Sequence, residues 1–166
     1  MDLLIYIERG GNIVNILIFM NIAGFTIMLW KSFVLFISNK NIDKISFEII
    51  QKLRLTQNYE LAQIKSIIAL RMNSIAKGLN TIKIIATLSP LIGLLGTVIG
   101  ILNSFDSISH LGLGDPTVFS GGISIALITT VAGLIVAIPH YIGYNYFIGS
   151  LDKIELKLEK AVLDQI

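Results

Sequence analysis

Cysteine is absent from the 166 residues. Disulfides, thiol chemistry and thiolate metal sites are therefore excluded, and the redox compartment is not readable. Charge is scarce as well. Asp, Glu, Lys and Arg make up 14% of the chain, against roughly 25% in an ordinary soluble domain. Apolar residues account for 54%, and the mean hydropathy is +0.77. Too few polar groups remain to cover a globule of this size, which argues against a cytoplasmic enzyme and against a disordered chain. The net charge of only +2 leaves no basic patch of the kind a nucleic-acid binder needs, so no nucleic-acid partner is expected. No nucleophile stands beside a base, and no metal-ligand cluster or phosphate-binding glycine loop is present. Neither an enzyme activity nor a cofactor is expected. The composition is that of an integral membrane protein.

What the chain does have is three long stretches free of charge: Gly10–Trp30, Ile84–Phe105 and Pro116–Leu151. A hydrocarbon core of ~30 Å needs about 20 apolar residues as a helix. The first two stretches each suffice for one crossing. The third would extend about 54 Å as a helix, longer than one crossing and too short for two with a turn. It reads as one span that continues as a helix beyond the bilayer, with a helix hairpin as the less favoured alternative. The expected fold class is an all-α membrane protein with three transmembrane helices, the second and third extended into the cytoplasm as long helices.

Twelve of the thirteen Lys and Arg residues lie in the segments 31–83 and 152–166, and none lies in 106–115. The positive-inside rule then sets an orientation with the N-terminus outside and the C-terminus in the cytoplasm. The expected organisation is an external N-terminus (1–12), a first span (13–36), a cytoplasmic helical segment (37–83), a second span (84–105), an external loop (106–115), a third span (116–147) and a cytoplasmic helical tail (148–166). The first span lacks a basic leader and a small-residue cleavage site, so it is not expected to be a removed signal peptide.

Within 42–83 the only Gly is Gly78, and no Pro occurs. Ile64, Ile68, Met72, Ile75, Leu79 and Ile82 recur at helical spacing, which predicts an amphipathic helix running straight into the second span. In the tail, Leu151, Ile154, Leu158 and Val162 form a second stripe among alternating Asp, Glu and Lys. A small helical bundle is preferred over a helix lying on the bilayer surface, and an unpartnered stripe makes homo-oligomerisation plausible.

The second span carries Gly93, Gly96 and Gly100, the last two as GxxxG. The third carries Ala126, Thr130, Gly133 and Ala137 on one face. Small residues let helix backbones approach closely, so these six positions, Thr130 aside, are packing candidates. Pro90 and Pro139 are candidate helix kinks. Asp115, Pro116 and Thr117 read as an N-cap followed by a Pro at the first helical position. Thr97, Thr129 and Thr130 place hydroxyls deep in apolar runs. They either bond their own helix carbonyls or face a polar interior. None of the three charge-free stretches offers an ionisable Asp, Glu, Lys or Arg within the apolar core, so the chain by itself has no obvious ion carrier. His140 is the one titratable candidate near a span end and is read as a solvated interface histidine; His110 reads as exposed.

The stretch SPLIGLLGTVIGI (89–101) followed by Phe105 resembles the second span of the ExbB/TolQ/MotA proton-channel family. GISIALITTVAGL (122–134), with Ala137-Ile138-Pro139 and Tyr144-Asn145, resembles its third. The ExbB branch, in a short form, is the most similar. The resemblance implies a homo-oligomeric ring, usually a pentamer, in the bacterial inner membrane. It also implies an ExbD-like single-span partner in the pore, a TonB-like protein beyond it, and use of the proton motive force for import across the outer membrane. Thr97 and Thr130 match the family's pore threonines, and Thr129 is their neighbour. The sequence departs from the family at Ile125, where a Glu is common. This chain supplies hydroxyls but no carboxylate, so proton relay would depend on the partner. A TolQ-like subunit for envelope integrity and a non-energised oligomeric scaffold are the alternatives.

Overall fold

The computed structural model describes residues 3–56, 61–112 and 117–165, and those residues fold into five α-helices. They are α1 (Leu3–Lys40), α2 (Ile42–Thr56), α3 (Leu61–Ala76), α4 (Leu79–Leu111) and α5 (Thr117–Leu163). Three of them, α1, α4 and α5, are long and apolar enough to cross a membrane. Each is apolar around most of its circumference, which suits a helix surrounded by lipid and other helices rather than by water. α5 runs unbroken for 47 residues, about 70 Å. It is a single long helix, and the hairpin alternative is ruled out. The proposed cap at Asp115 and Pro116 lies outside the described residues.

The chain divides into two compact units. One contains the residues up to Thr26 together with Thr81–Ile142. Here α1, α4 and α5 meet around Leu17, Ile85 and Val136, with Ile13, Met20, Ile92 and Ala132 packed against them. Near its start α1 is interrupted at Gly11, whose φ of 58° and ψ of −148° are non-helical. A positive φ of this kind is readily accessible only to glycine.

The other unit contains Ile27–Asn80 and Gly143–Ile166. Its interior is assembled from apolar stripes: Ile45, Ile49 and Leu53 of α2, Ile64, Ile68, Met72 and Ile75 of α3, and Leu151, Ile154, Leu158 and Val162 of α5 are all buried. The stripes predicted on α3 and in the tail thus face inward, as a bundle requires. Exposed ion pairs join neighbouring helices at the rim, Arg71 with Glu48 at 3.9 Å and Lys65 with Glu159 at 3.6 Å.

Two boundaries differ from the sequence-based expectation. The helix predicted to run through 64–82 into the second span is broken. α3 stops at Ala76 and α4 starts at Leu79, with Gly78 between them at φ +90°. Glycine permits this left-handed turn, and the side chain of Lys31 stabilises it. Its Nζ, on a residue only 5% exposed, donates a 2.7 Å hydrogen bond to the carbonyl of Ile75 in the last turn of α3. A cation at a helix C-terminus satisfies an orphan carbonyl and opposes the negative end of the helix dipole. The second difference concerns 106–115, expected as a loop. Its first six residues continue α4 to Leu111. The hydroxyl of Ser107 bonds the Asn103 carbonyl at 2.8 Å, and Gly112, at φ +78°, ends the helix with its N–H on the Ile108 carbonyl. Helical hydrogen bonding has no reason to stop where the apolar run stops.

Candidate functional site

The predicted small residues of α4 and α5 converge on one seam. A Cβ placed on Gly93 would lie 2.8 Å from the Thr129 carbonyl oxygen and 3.2 Å from Cα of Thr130. One placed on Gly133 would lie 2.6 Å from the Ser89 carbonyl oxygen. Gly100 is opposite the carbonyl of Gly122 and the backbone and Cβ of Ala126. Gly96 is pressed against the side chain of Thr129. Along α4 the order Ser89, Gly93, Gly96, Gly100, Ser104 therefore meets α5 in the reverse order, Gly133 back to Phe119, so the pair is antiparallel. At the far end the Ser104 hydroxyl reaches across to the Phe119 carbonyl at 3.0 Å. Without lipid-facing hydrophobic gain between helices, such backbone proximity is what holds a membrane helix pair together.

Ala137 of the packing candidates is also buried. Sequence reading missed Ser89, Ser104 and Gly122 as members of the seam. Gly122 was accessible, since it extends the stripe by one turn before Ala126. Pro90 and Pro139 are half-buried, and both helices continue through them.

The three candidate threonines separate. Each hydroxyl donates to a carbonyl of its own helix: Thr97 to Leu94 at 2.6 Å, Thr129 to Ile125 and Ala126 at 3.0 Å each, and Thr130 to Ala126 at 3.2 Å. Thr97 and Thr130 remain half-exposed, whereas Thr129 is wholly buried. Thr129 is enclosed by α4 within the single chain and forms part of the packing seam. Thr97 follows Gly93 by one turn, and Thr130 is opposite Gly93. Two partly open hydroxyls therefore flank the same helix crossing. Ile125 is half-buried and offers only its backbone carbonyl.

His140 is not a solvated interface residue. It is fully buried. Its Nδ1 lies 2.7 Å from the Val136 carbonyl oxygen, so that nitrogen must carry the proton of the bond. The ring packs edge-on to Phe25 with centroids 5.1 Å apart and presses on Gly24, where any Cβ would collide with Nε2. Nε2 has no hydrogen-bond partner, and neither does the buried Oδ1 of Asn21, one turn earlier on α1. His110 is exposed as expected and pairs back to Asp106. Among the described residues no group of His, Cys, Asp and Glu could hold a metal ion.

Three membrane-length helices, two of them joined by a glycine seam, define a helical membrane protein of several spans. The chain belongs to the MotA/TolQ/ExbB proton channel family, whose profile matches residues 38–160. The biopolymer transport protein exbB1 of Vibrio cholerae is 37% identical over 86 residues, 51% of this chain and 38% of that protein. Biopolymer transport protein ExbB of Aquifex aeolicus is 42% identical over 74 residues, 45% of this chain and 50% of that protein. The ExbB of Neisseria gonorrhoeae is 36% identical over 99 residues, 60% of this chain and 44% of that protein. The chain thus matches about a third to a half of the length of these curated relatives.

Proposed function

We propose that this chain is the ExbB-type channel subunit of an energising complex in the bacterial inner membrane, with its N-terminus periplasmic and its C-terminus cytoplasmic. Several copies, five by the family resemblance, form a ring. Their second and third spans surround an axis occupied by ExbD-like single-span helices. Proton flow through that interior drives movement of the partner, which a TonB-like protein passes to importers in the outer membrane. The observation that carries this reading is the antiparallel glycine seam between α4 and α5, inside a chain whose family match covers both helices. The seam fixes two helices as one rigid wall and leaves Thr97 and Thr130 half-open at its edge.

The charge-free stretches of this wall, Ile84–Phe105 and Pro116–Leu151, contain no carboxylate. An ionised side chain at a span centre costs about 2.5–3.5 kcal/mol on insertion scales, and this subunit avoids that cost by leaving the titratable group to its partner. The hydroxyl donors are committed to helix carbonyls, but each oxygen still has acceptor capacity toward a proton carrier or water. A deletion strain tests the function. Loss of growth on an iron siderophore, with normal detergent resistance and normal swimming, is the expected outcome. Detergent sensitivity with normal siderophore growth would instead favour the TolQ-like role. Proton flux in proteoliposomes should rise only when the single-span partner is present, and no change would favour a passive scaffold.

A further inference from the structure

In the unit formed by Ile27–Asn80 and Gly143–Ile166, α1 and α5 enclose a groove of about 310 Å³. Its lining changes along its length. Ser32, Tyr146 and Phe147 form one end, and Asn39, Lys153 and Lys157 the other, with Phe36 and Ser150 between. The hydrogen bond from Lys157 Nζ to Asn39 Oδ1, 2.9 Å, marks the polar end. We propose that this groove binds an anionic phospholipid, with its phosphodiester at Lys153 and Lys157 and its acyl attachment along the aromatic wall.

Position along the helix is the first argument. The charge-free run ends at Leu151 and Lys153 is the first cation after it, so the groove straddles the edge of the apolar span. From Tyr146 to Lys157 is about 16 Å of helix. The headgroup layer on each side of a bilayer is only about 5–8 Å deep, so the groove is long enough to hold a headgroup and the first part of its chains. Charge is the second argument. No carboxylate lines the groove. Glu159 on the same helix is taken up by Lys65, while among the described residues neither Lys153 nor Lys157 is ion-paired. Spacing of four residues puts both lysines on one face with Ser150 one turn before. The third argument separates a lipid from a soluble anion. Phe36 and Tyr146 are 70% and 71% exposed, a wall that free phosphate would leave wet and that acyl chains would cover.

The test uses the purified full chain, delipidated in neutral detergent and offered phosphatidylglycerol or phosphatidylcholine with the same acyl chains, with retained lipid counted by native mass spectrometry. Phosphatidylglycerol should be retained in preference, and each lysine should contribute about fivefold. Lys153→Gln/Lys157→Gln should abolish the preference, while Lys44→Gln/Lys160→Gln, outside the groove, should keep it. Equal retention of the two lipids by the unaltered chain overturns the proposal without recourse to any variant. So does a preference that survives loss of both groove lysines. Displacement of phosphatidylglycerol by millimolar inorganic phosphate would overturn it in favour of a soluble-anion site.

Discussion

Gly96 sits directly against Thr129: a Cβ at residue 96 would overlap the Thr129 side chain, including its own Cβ. Because Cβ itself is involved, trimming Thr129 to Ala cannot relieve the overlap. Gly96→Ala should therefore destabilise the chain by about 1–3 kcal/mol through overpacking, and Thr129→Gly should recover part of it. Gly100→Ala should be at least as damaging, because its neighbours are the Gly122 carbonyl and the Ala126 amide, backbone groups that cannot rotate away. Gly149 is the control. It lies within α5 and a Cβ there meets nothing within 4 Å, so Gly149→Ala should be neutral or stabilising by roughly 0.5–1 kcal/mol. Thermal midpoints of the purified variants in one detergent decide between these outcomes. Equal midpoints for Gly96→Ala and Gly149→Ala would remove the seam.

The two histidines should differ in chemical accessibility. His110 is exposed, whereas His140 is enclosed by Gly24 and Phe25. Diethyl pyrocarbonate should modify His110 quickly and leave His140 untouched until the protein is denatured, as read by peptide mass spectrometry. Comparable rates at both would restore the solvated reading. Gly24→Ala should loosen the same contact and expose His140 to the reagent.

How much of this was legible in the sequence depends on whether the determinant was local. The stripe of Ile64, Ile68, Met72 and Ile75 is a periodicity within one helix, and its burial follows from spacing alone. Gly93, Gly96, Gly100 and Gly133 advertise close approach, though not which helix approaches. Gly78 was visible as the lone glycine of its segment, but glycine only permits a turn. What uses the permission here is Lys31, far upstream, reaching the Ile75 carbonyl. His140 was misjudged for the same reason. Its neighbour in sequence is Pro139 at the approach to a span end, while its neighbours in space are on α1.

The α3–α4 turn gives a third prediction. Lys31→Met keeps the aliphatic stem but removes the hydrogen bond to Ile75, a charge-assisted bond of the kind that contributes about 1.5–3 kcal/mol. Gly78→Ala forces a Cβ into a left-handed conformation at a cost of about 1–2 kcal/mol. Hydrogen exchange at the end of α3 should accelerate in both variants. Unchanged protection in Lys31→Met would show that Gly78 alone holds the turn.

In the helical bundle, burial should outweigh ion pairing. Leu158 is completely buried, and Leu158→Ala should cost about 2–5 kcal/mol. The neighbouring Glu159 pairs with Lys65, but that lysine side chain is 61% exposed. Screened pairs of this kind contribute about 0–1 kcal/mol, so Glu159→Gln should shift the thermal midpoint little. A larger effect from Glu159→Gln than from Leu158→Ala would mean that the bundle is held electrostatically.

The threonines offer the sharpest separation of packing from transport. Thr→Val preserves shape and removes only the hydroxyl. At Thr97 and Thr130, half-exposed at the edge of the seam, that substitution should impair siderophore-dependent growth while leaving assembly and thermal midpoint nearly unchanged, since the lost bonds are to carbonyls already served by their own helix. At Thr129, sealed against Gly96, nothing outside the chain can reach the hydroxyl. Thr129→Val should therefore leave growth intact, and any effect should be on stability. Measuring growth and midpoint together for the three variants distinguishes a pore face from a packing face. If Thr129→Val alone abolished growth at an unchanged midpoint, the assignment of the two faces would be reversed.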